Sequence, residues 1–231
     1  MTDISNWNLY WNLEGDELVR ANLVYSAYVS PDKKHFCQWF ARDIRYHRDP
    51  DENALWTTEL LKDRFDKEIE FHARARRHMT TLPIVDIDEQ ELKIIYEWPG
   101  DDFLMQSINA GSREKLLPDW QDQMALLIHK MKKSHITKLS LHPNSWTVIN
   151  NDTLVPFNWF FSYDSERDTD SFKKLSIQIS PGRMEKLEPI FERLNIKEDQ
   201  FYPVETLQLA ALESFRANYD DAFINRILTL L

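Results

Sequence analysis

The sequence predicts an α+β chain of two lobes. Residues 1–98 read as an antiparallel five-stranded lobe carrying one helix, and residues 99–231 as a mostly helical lobe. Three observations carry this. Short segments alternate apolar and polar residues at strand period before residue 98; one long stretch between the third and fourth of them has helical period. Pro99-Gly100 then breaks the pattern, and helical spacing dominates beyond it.

Taken in order, residues 7–13 (Trp7, Leu9, Trp11, Leu13) alternate as a half-buried strand does. Glu14-Gly15-Asp16 is a turn, 18–29 a second strand rich in Val, Leu and Tyr, and 35–44 a third. Residues 55–79 form the clearest helix, with Leu55, Glu59, Leu60, Phe65, Ile69 and His72 at helical spacing and bases toward its end. Strands at 82–87 and 92–98 flank the acidic turn Asp88-Glu89-Gln90-Glu91. Short connections make an antiparallel sheet the economical arrangement. Past the break, a short helix is expected at 102–109 and a longer one at 119–134, with Trp120, Met124, Leu127, Ile128 and Met131 on one face. A hairpin turns at Asn150-Asn151-Asp152. Helices follow at 183–194, 205–218 and 221–231.

Composition removes whole classes of function. With 42% hydrophobic and 13% aromatic residues, the chain has material for a core and is not disordered. No apolar run approaches the ~20 residues that span a bilayer. Met1–Asn6 lacks the basic and apolar regions of a secretory signal, so a cytoplasmic, membrane-free protein is expected. A formal charge of -10 repels nucleic acid. Cys37 is the only cysteine, and reads as a small buried hydrophobe rather than a nucleophile. The seven histidines show no paired zinc spacing. The basic cluster Arg74, Arg76, Arg77 with His72 and His78 reads as a solvated helix face, or as a local anion contact. Only four glycines occur, where about sixteen are usual for this length, so no glycine-based phosphate cradle can be written.

One constellation carries chemistry. Ile136-Thr137-Lys138-Leu139-Ser140-Leu141-His142-Pro143-Asn144-Ser145-Trp146 resembles, without a gap, the I-x-H-G-D-L-H-P-G-N-hydrophobic catalytic loop of the aminoglycoside phosphotransferase and choline kinase branch of the protein-kinase-like superfamily. Leu141-His142-Pro143 matches letter for letter. Phe157-Asn158-Trp159 follows at the spacing of that branch's I-D-W metal-binding motif. The helix containing Glu68 resembles the one that supplies the glutamate partner of the ATP-binding lysine. The strand, helix, Pro-Gly and hairpin order is likewise that of a two-lobed kinase-like fold. His142 is expected to bond loop backbone.

The departures from this resemblance fall on the chemistry. Ser140 stands at the catalytic aspartate, Ser145 at the metal-binding asparagine and Asn158 at the metal-binding aspartate. Arg42 is the candidate for the lysine position, as a vestigial partner of Glu68, or else an exposed strand residue. Phosphoryl transfer needs a carboxylate to orient the hydroxyl and hard oxygen ligands for Mg²⁺. A serine hydroxyl and an asparagine amide supply neither. What the resemblance implies is a pseudokinase with no cofactor, acting as a module that binds another protein or serves a structural role. Its partner-binding surface is expected on the loop 160–170, through Phe161, Tyr163 and Asp164, where aromatic anchors meet charge. The terminal helix is a second candidate surface, or a piece of core. The alternatives are a divergent active phosphotransferase or nucleotidyltransferase that uses ATP and Mg²⁺ with Asp152, Asp164 or Asp168, and an acidic decoy of a basic partner.

Overall fold

The computed structural model describes residues 2–9, 25–40, 58–99, 117–138, 141, 145–164, 166–167, 192 and 220–230. Among these the chain is α+β, with three helices and antiparallel sheets. It divides into two compact units. The first comprises Met1–Ile69 and Leu82–Gly100, the second Glu70–Thr81 and Asp101–Leu231.

The first unit is built on a five-stranded antiparallel sheet. Its strands are β1 (Asn8–Leu9), β2 (Ser26–Val29), β3 (His35–Trp39), β4 (Ile84–Asp88) and β5 (Lys93–Glu97), ordered β1-β2-β3-β5-β4. The remaining parts of the strands expected over 7–29 and 40–44 lie largely outside the described residues. Ser30 sets the β2–β3 turn: its hydroxyl donates to Asp32 at 2.6 Å and accepts from the amides of Lys34 and His35. Side chains on both faces of β3 are buried, and the pleat sorts its residues. Phe36 and Phe40 pack with Tyr25, Tyr96 and Phe65 of the helix α1 (Thr58–Ala75). Cys37 faces the other way, against Ile95 and Ile4, with Trp7, Tyr28 and Trp39 around them. Burial pushes the Cys37 thiol up to about 12, so it is an inert filler.

Helix α1 departs from the expected stripe by about one residue. Its buried side chains are Leu61, Arg64, Phe65, Glu68, Phe71, His72 and Ala75, whereas Leu60 and Ile69 are only half-buried. Of the expected stripe, Phe65 and His72 are buried; beside them the helix also buries an arginine and a glutamate. Its end also groups differently from the expected boundary at residue 98. Phe71 and Ala75, with Met79 beyond them, belong to the core of the second unit.

That core gathers around α2 (Trp120–Lys133), whose Met124, Ala125, Leu127, Ile128 and Met131 are buried. Strand β6 (Ile136–Lys138) follows at once. The hairpin β7 (Trp146–Ile149) and β8 (Thr153–Pro156) turns through Asn150 and Asn151, both at positive φ (54° and 62°), which asparagine tolerates. Gln123 of α2 fastens this hairpin, accepting from the Leu154 amide at 2.8 Å and donating to the Asp152 carbonyl at 2.9 Å. Strand β9 (Ser162–Asp164) pairs antiparallel with β6. Helix α3 (Asp221–Leu228) is capped by Asp220, whose carboxylate accepts from the Phe223 amide at 2.7 Å. Its Phe223, Ile224 and Ile227 are buried in the same core as α2, so the described part of the terminal helix is core rather than docking surface. The helices expected at 102–109, 183–194 and 205–218 lie outside the described residues, apart from Glu192, which is helical. Among the described residues no helix is long and apolar enough to cross a membrane.

Candidate functional site

The segment that resembles a catalytic loop starts from β6. Strand alternation turns Ile136 and Lys138 inward and leaves Thr137 half-buried. Lys138 is 1% exposed, rare for an ammonium. Its Nζ donates to the backbone carbonyl of Asn158 at 2.5 Å and lies 5.3 Å from the centroid of the Trp159 ring. Asn158 holds φ at 62°, the left-handed region that asparagine enters more readily than most residues. This bend ends the run that leaves β8, and Trp159 then enters the core.

Ser145 precedes β7. Its carbonyl accepts from the Phe157 amide at 3.0 Å, and its Oγ accepts from Asn158 Nδ2 at 3.5 Å. The fold therefore brings together two of the three expected positions, Ser145 and Asn158, and buries both completely. Among the described residues, no group of three or more His, Cys, Asp or Glu side chains is arranged to hold a metal ion. A hydroxyl and an amide, both neutral, meet here, and the Lys138 side chain bonds to the backbone carbonyl of the same Asn158.

Ser140, Arg42 and Asp168 lie outside the described residues, as do His142 and Pro143. Glu68 is completely buried and accepts from the Tyr96 phenol at 2.9 Å. Burial first, and then the Glu68 carboxyl, push the Tyr96 phenol well above its ordinary range, so it stays a donor.

The stretch expected to present aromatic anchors does something else. Phe160 is buried, and Ser162–Asp164 form β9, with Tyr163 2% and Asp164 3% exposed. Only Phe161 is half-buried. Pairing with β6 folds this stretch into the second unit and buries Tyr163 and Asp164. Asp164 is instead the hub of an ion network. It accepts from Arg74 Nη1 at 2.5 Å, Arg167 Nε at 2.7 Å, and the amides of Glu166 and Arg167 at 2.9 and 3.0 Å. Arg167 also reaches Glu70 at 2.5 Å. Burial alone would raise the Asp164 carboxyl; these four hydrogen bonds outweigh it and hold the group well below the usual carboxylate range. Of the basic cluster, Arg74 thus serves an internal carboxylate, His72 is buried, and Arg76, Arg77 and His78 are exposed. Asp152 sits exposed at the hairpin tip, accepting from Thr153 Oγ1 at 2.7 Å.

Sequence reasoning passed over Lys138. A signal was present: it stands where the resembled loop has its first histidine, two residues after the apolar Ile136 on the same strand.

No protein-family model matches this chain, and no curated protein matches it. Among solved structures it is similar to the bifunctional kinase-methyltransferase WbdD, at 11% identity over 93% of this chain and 48% of that one, with a TM-score of 0.48. A complex of WbdD with the kinase inhibitor LY294002 gives 11% identity, 84% and 44% coverage and a TM-score of 0.45. A monomeric form of WbdD gives 13%, 84% and 46%, and 0.46. The chain spans just under half the length of these WbdD chains. Likeness at this distance bears on the fold at most.

Proposed function

We propose that this chain is a two-lobed, kinase-like protein without phosphotransfer activity, and that it acts as a protein-binding or structural module. The observation that carries the reading is the pairing of Ser145 with Asn158. At the two positions where the resembled branch keeps its metal ligands, this chain buries a hydroxyl and an amide in contact at 3.5 Å, with an ammonium bonded to the Asn158 carbonyl. The five-stranded sheet with its single long helix and the β7–β8 hairpin support the kinase-like part of the reading. The active alternative needs carboxylates from elsewhere. Asp164 is engaged by two arginines and two amides, and Asp152 belongs to an exposed turn.

The test is thermal denaturation with and without ATP and Mg²⁺. A ligand at 100 times its Kd adds about 2.7 kcal/mol, a shift that is easily read. No metal-dependent rise in Tm is expected. A clear rise would overturn the inactive reading in favour of a divergent phosphotransferase. The decoy reading differs in salt dependence: capture of a partner by charge alone would vanish at high ionic strength, whereas an apolar interface would persist.

A further inference from the structure

We propose that the outer edge of β4 is a docking strand for a basic, extended segment of a partner protein; this rests on the reading of the chain as a protein-binding module. In its sheet β4 pairs with β5 on one side, and among the described residues no strand flanks it on the other. Such an edge offers a row of backbone donors and acceptors that an extended peptide can join. Of the three large apolar side chains that stand exposed among the described residues, two lie on this strand, Val85 at 51% and Ile87 at 38%. Val85 falls within the register shift between Ile84 and Asp86 and Ile87 lies just beyond it, so the strand offers exposed apolar contacts at two positions.

Charge selects the occupant. Between Ile84 and Lys93 the chain carries Asp86, Asp88, Glu89 and Glu91 against the single base Lys93. Lys93 is itself engaged, lying 4.5 Å from the centroid of the Trp39 ring and 3.8 Å from Glu91. Asp86 accepts from the Thr2 amide at 3.0 Å and the Thr2 hydroxyl at 2.7 Å, contacts that hold its carboxyl below the ordinary range. A second copy pairing edge to edge would set carboxylates against carboxylates, which destabilises a ladder. Acidic residues and the register shift between Ile84 and Asp86 are devices by which natural edges resist pairing with themselves. The same charges attract a strand whose lysines or arginines alternate with apolar residues.

The experiment uses the whole protein and fluorescence anisotropy with three short labelled peptides. One alternates lysine and valine, one carries a proline at the centre of that pattern, and one alternates glutamate and valine. The first should bind. The proline peptide, which cannot complete the ladder, and a Val85→Lys/Ile87→Lys variant of the protein should each weaken binding at least about tenfold. The glutamate peptide should not bind. Both substituted positions are exposed, and circular dichroism checks that the variant folds. Equal binding of the alternating and proline peptides would reduce the effect to bulk charge and overturn the proposal. So would unchanged affinity in the variant, no binding of the lysine peptide, or a homodimer in sedimentation that the variant abolishes. None of these outcomes alters the ATP and Mg²⁺ result, so failure of the edge and failure of the inactive reading remain separable.

Discussion

Each of the two units buries a polar pair, and the pairs are built in opposite ways. In the first, an acid survives: Glu68 of α1 is completely buried and takes the phenol of Tyr96 at 2.9 Å. In the second, the pair is an amide and a hydroxyl. Asn158 and Ser145 touch at 3.5 Å, and the Lys138 side chain bonds to the Asn158 backbone carbonyl. The acid of the first unit ties a helix to a sheet, whereas the contact in the second joins two neutral groups.

Removing Lys138 should produce the largest effect. Lys138→Ala strips a charge-assisted hydrogen bond from the Asn158 carbonyl and leaves a hole beside Trp159. Such a change costs about 3 kcal/mol. Lys138→Met refills the volume without the bond and should recover about half of that. Urea denaturation of both variants measures the difference. A cost under about 1 kcal/mol for the alanine would mean that the ammonium does not organise the site, and the contrast between the units would collapse.

The second effect in size concerns Asp164. Asp164→Asn should lower stability at neutral pH by about 2 kcal/mol, since two arginines lose their carboxylate. The sign of the pH dependence follows from the depressed folded-state value. Stability from Asp164 is fully present above the ordinary carboxylate range, at about pH 4, and is lost as pH falls from there toward the folded value. Wild type and variant should therefore begin to converge in urea midpoint as pH falls below about 4. Parallel curves throughout would remove Asp164 from the acid response.

How much of this was legible follows from which forces leave letters in the sequence. The β7–β8 hairpin was readable because Asn150-Asn151 announces two positive φ values between apolar runs. Helix α2 was readable because Met124, Leu127, Ile128 and Met131 recur at helical period. The approach of Ser145 to Asn158 was foreseen only through the resemblance, since thirteen residues and a hairpin separate them. Arg64, Glu68 and Lys138 escaped the period argument, which assigns charged letters to the outside; their burial depends on partners distant in sequence. Strand β9 was taken for an exposed loop because Phe-Ser-Tyr-Asp also suits a surface hot spot. Its pairing with β6, in which Ile136 meets Asp164, leaves no local trace.

Tyr96→Phe comes third. It leaves the buried Glu68 carboxyl without the phenol and should cost about 1.5 kcal/mol. Glu68→Gln, which keeps an acceptor facing Tyr96, should cost less than that. If the glutamine is the more damaging of the two, the charge of Glu68 matters more than its bond to Tyr96, and a partner such as Arg42 gains weight.

The smallest effect separates two uses of the same residue type. Asn151 and Asn158 both sit at φ 62°, one exposed at a hairpin tip and the other buried at the site. Glycine enters this region without a steric penalty, so Asn151→Gly should change stability by no more than a few tenths of a kcal/mol. Asn158→Gly keeps the same backbone freedom but loses the amide that meets Ser145 and empties a filled volume. It should cost about 1 kcal/mol more than the hairpin change. Chemical denaturation of the two variants side by side gives the difference directly. If it is zero, Asn158 is held for its backbone bend alone, and its side chain does no more at the centre of the second unit than Asn151 does at the tip.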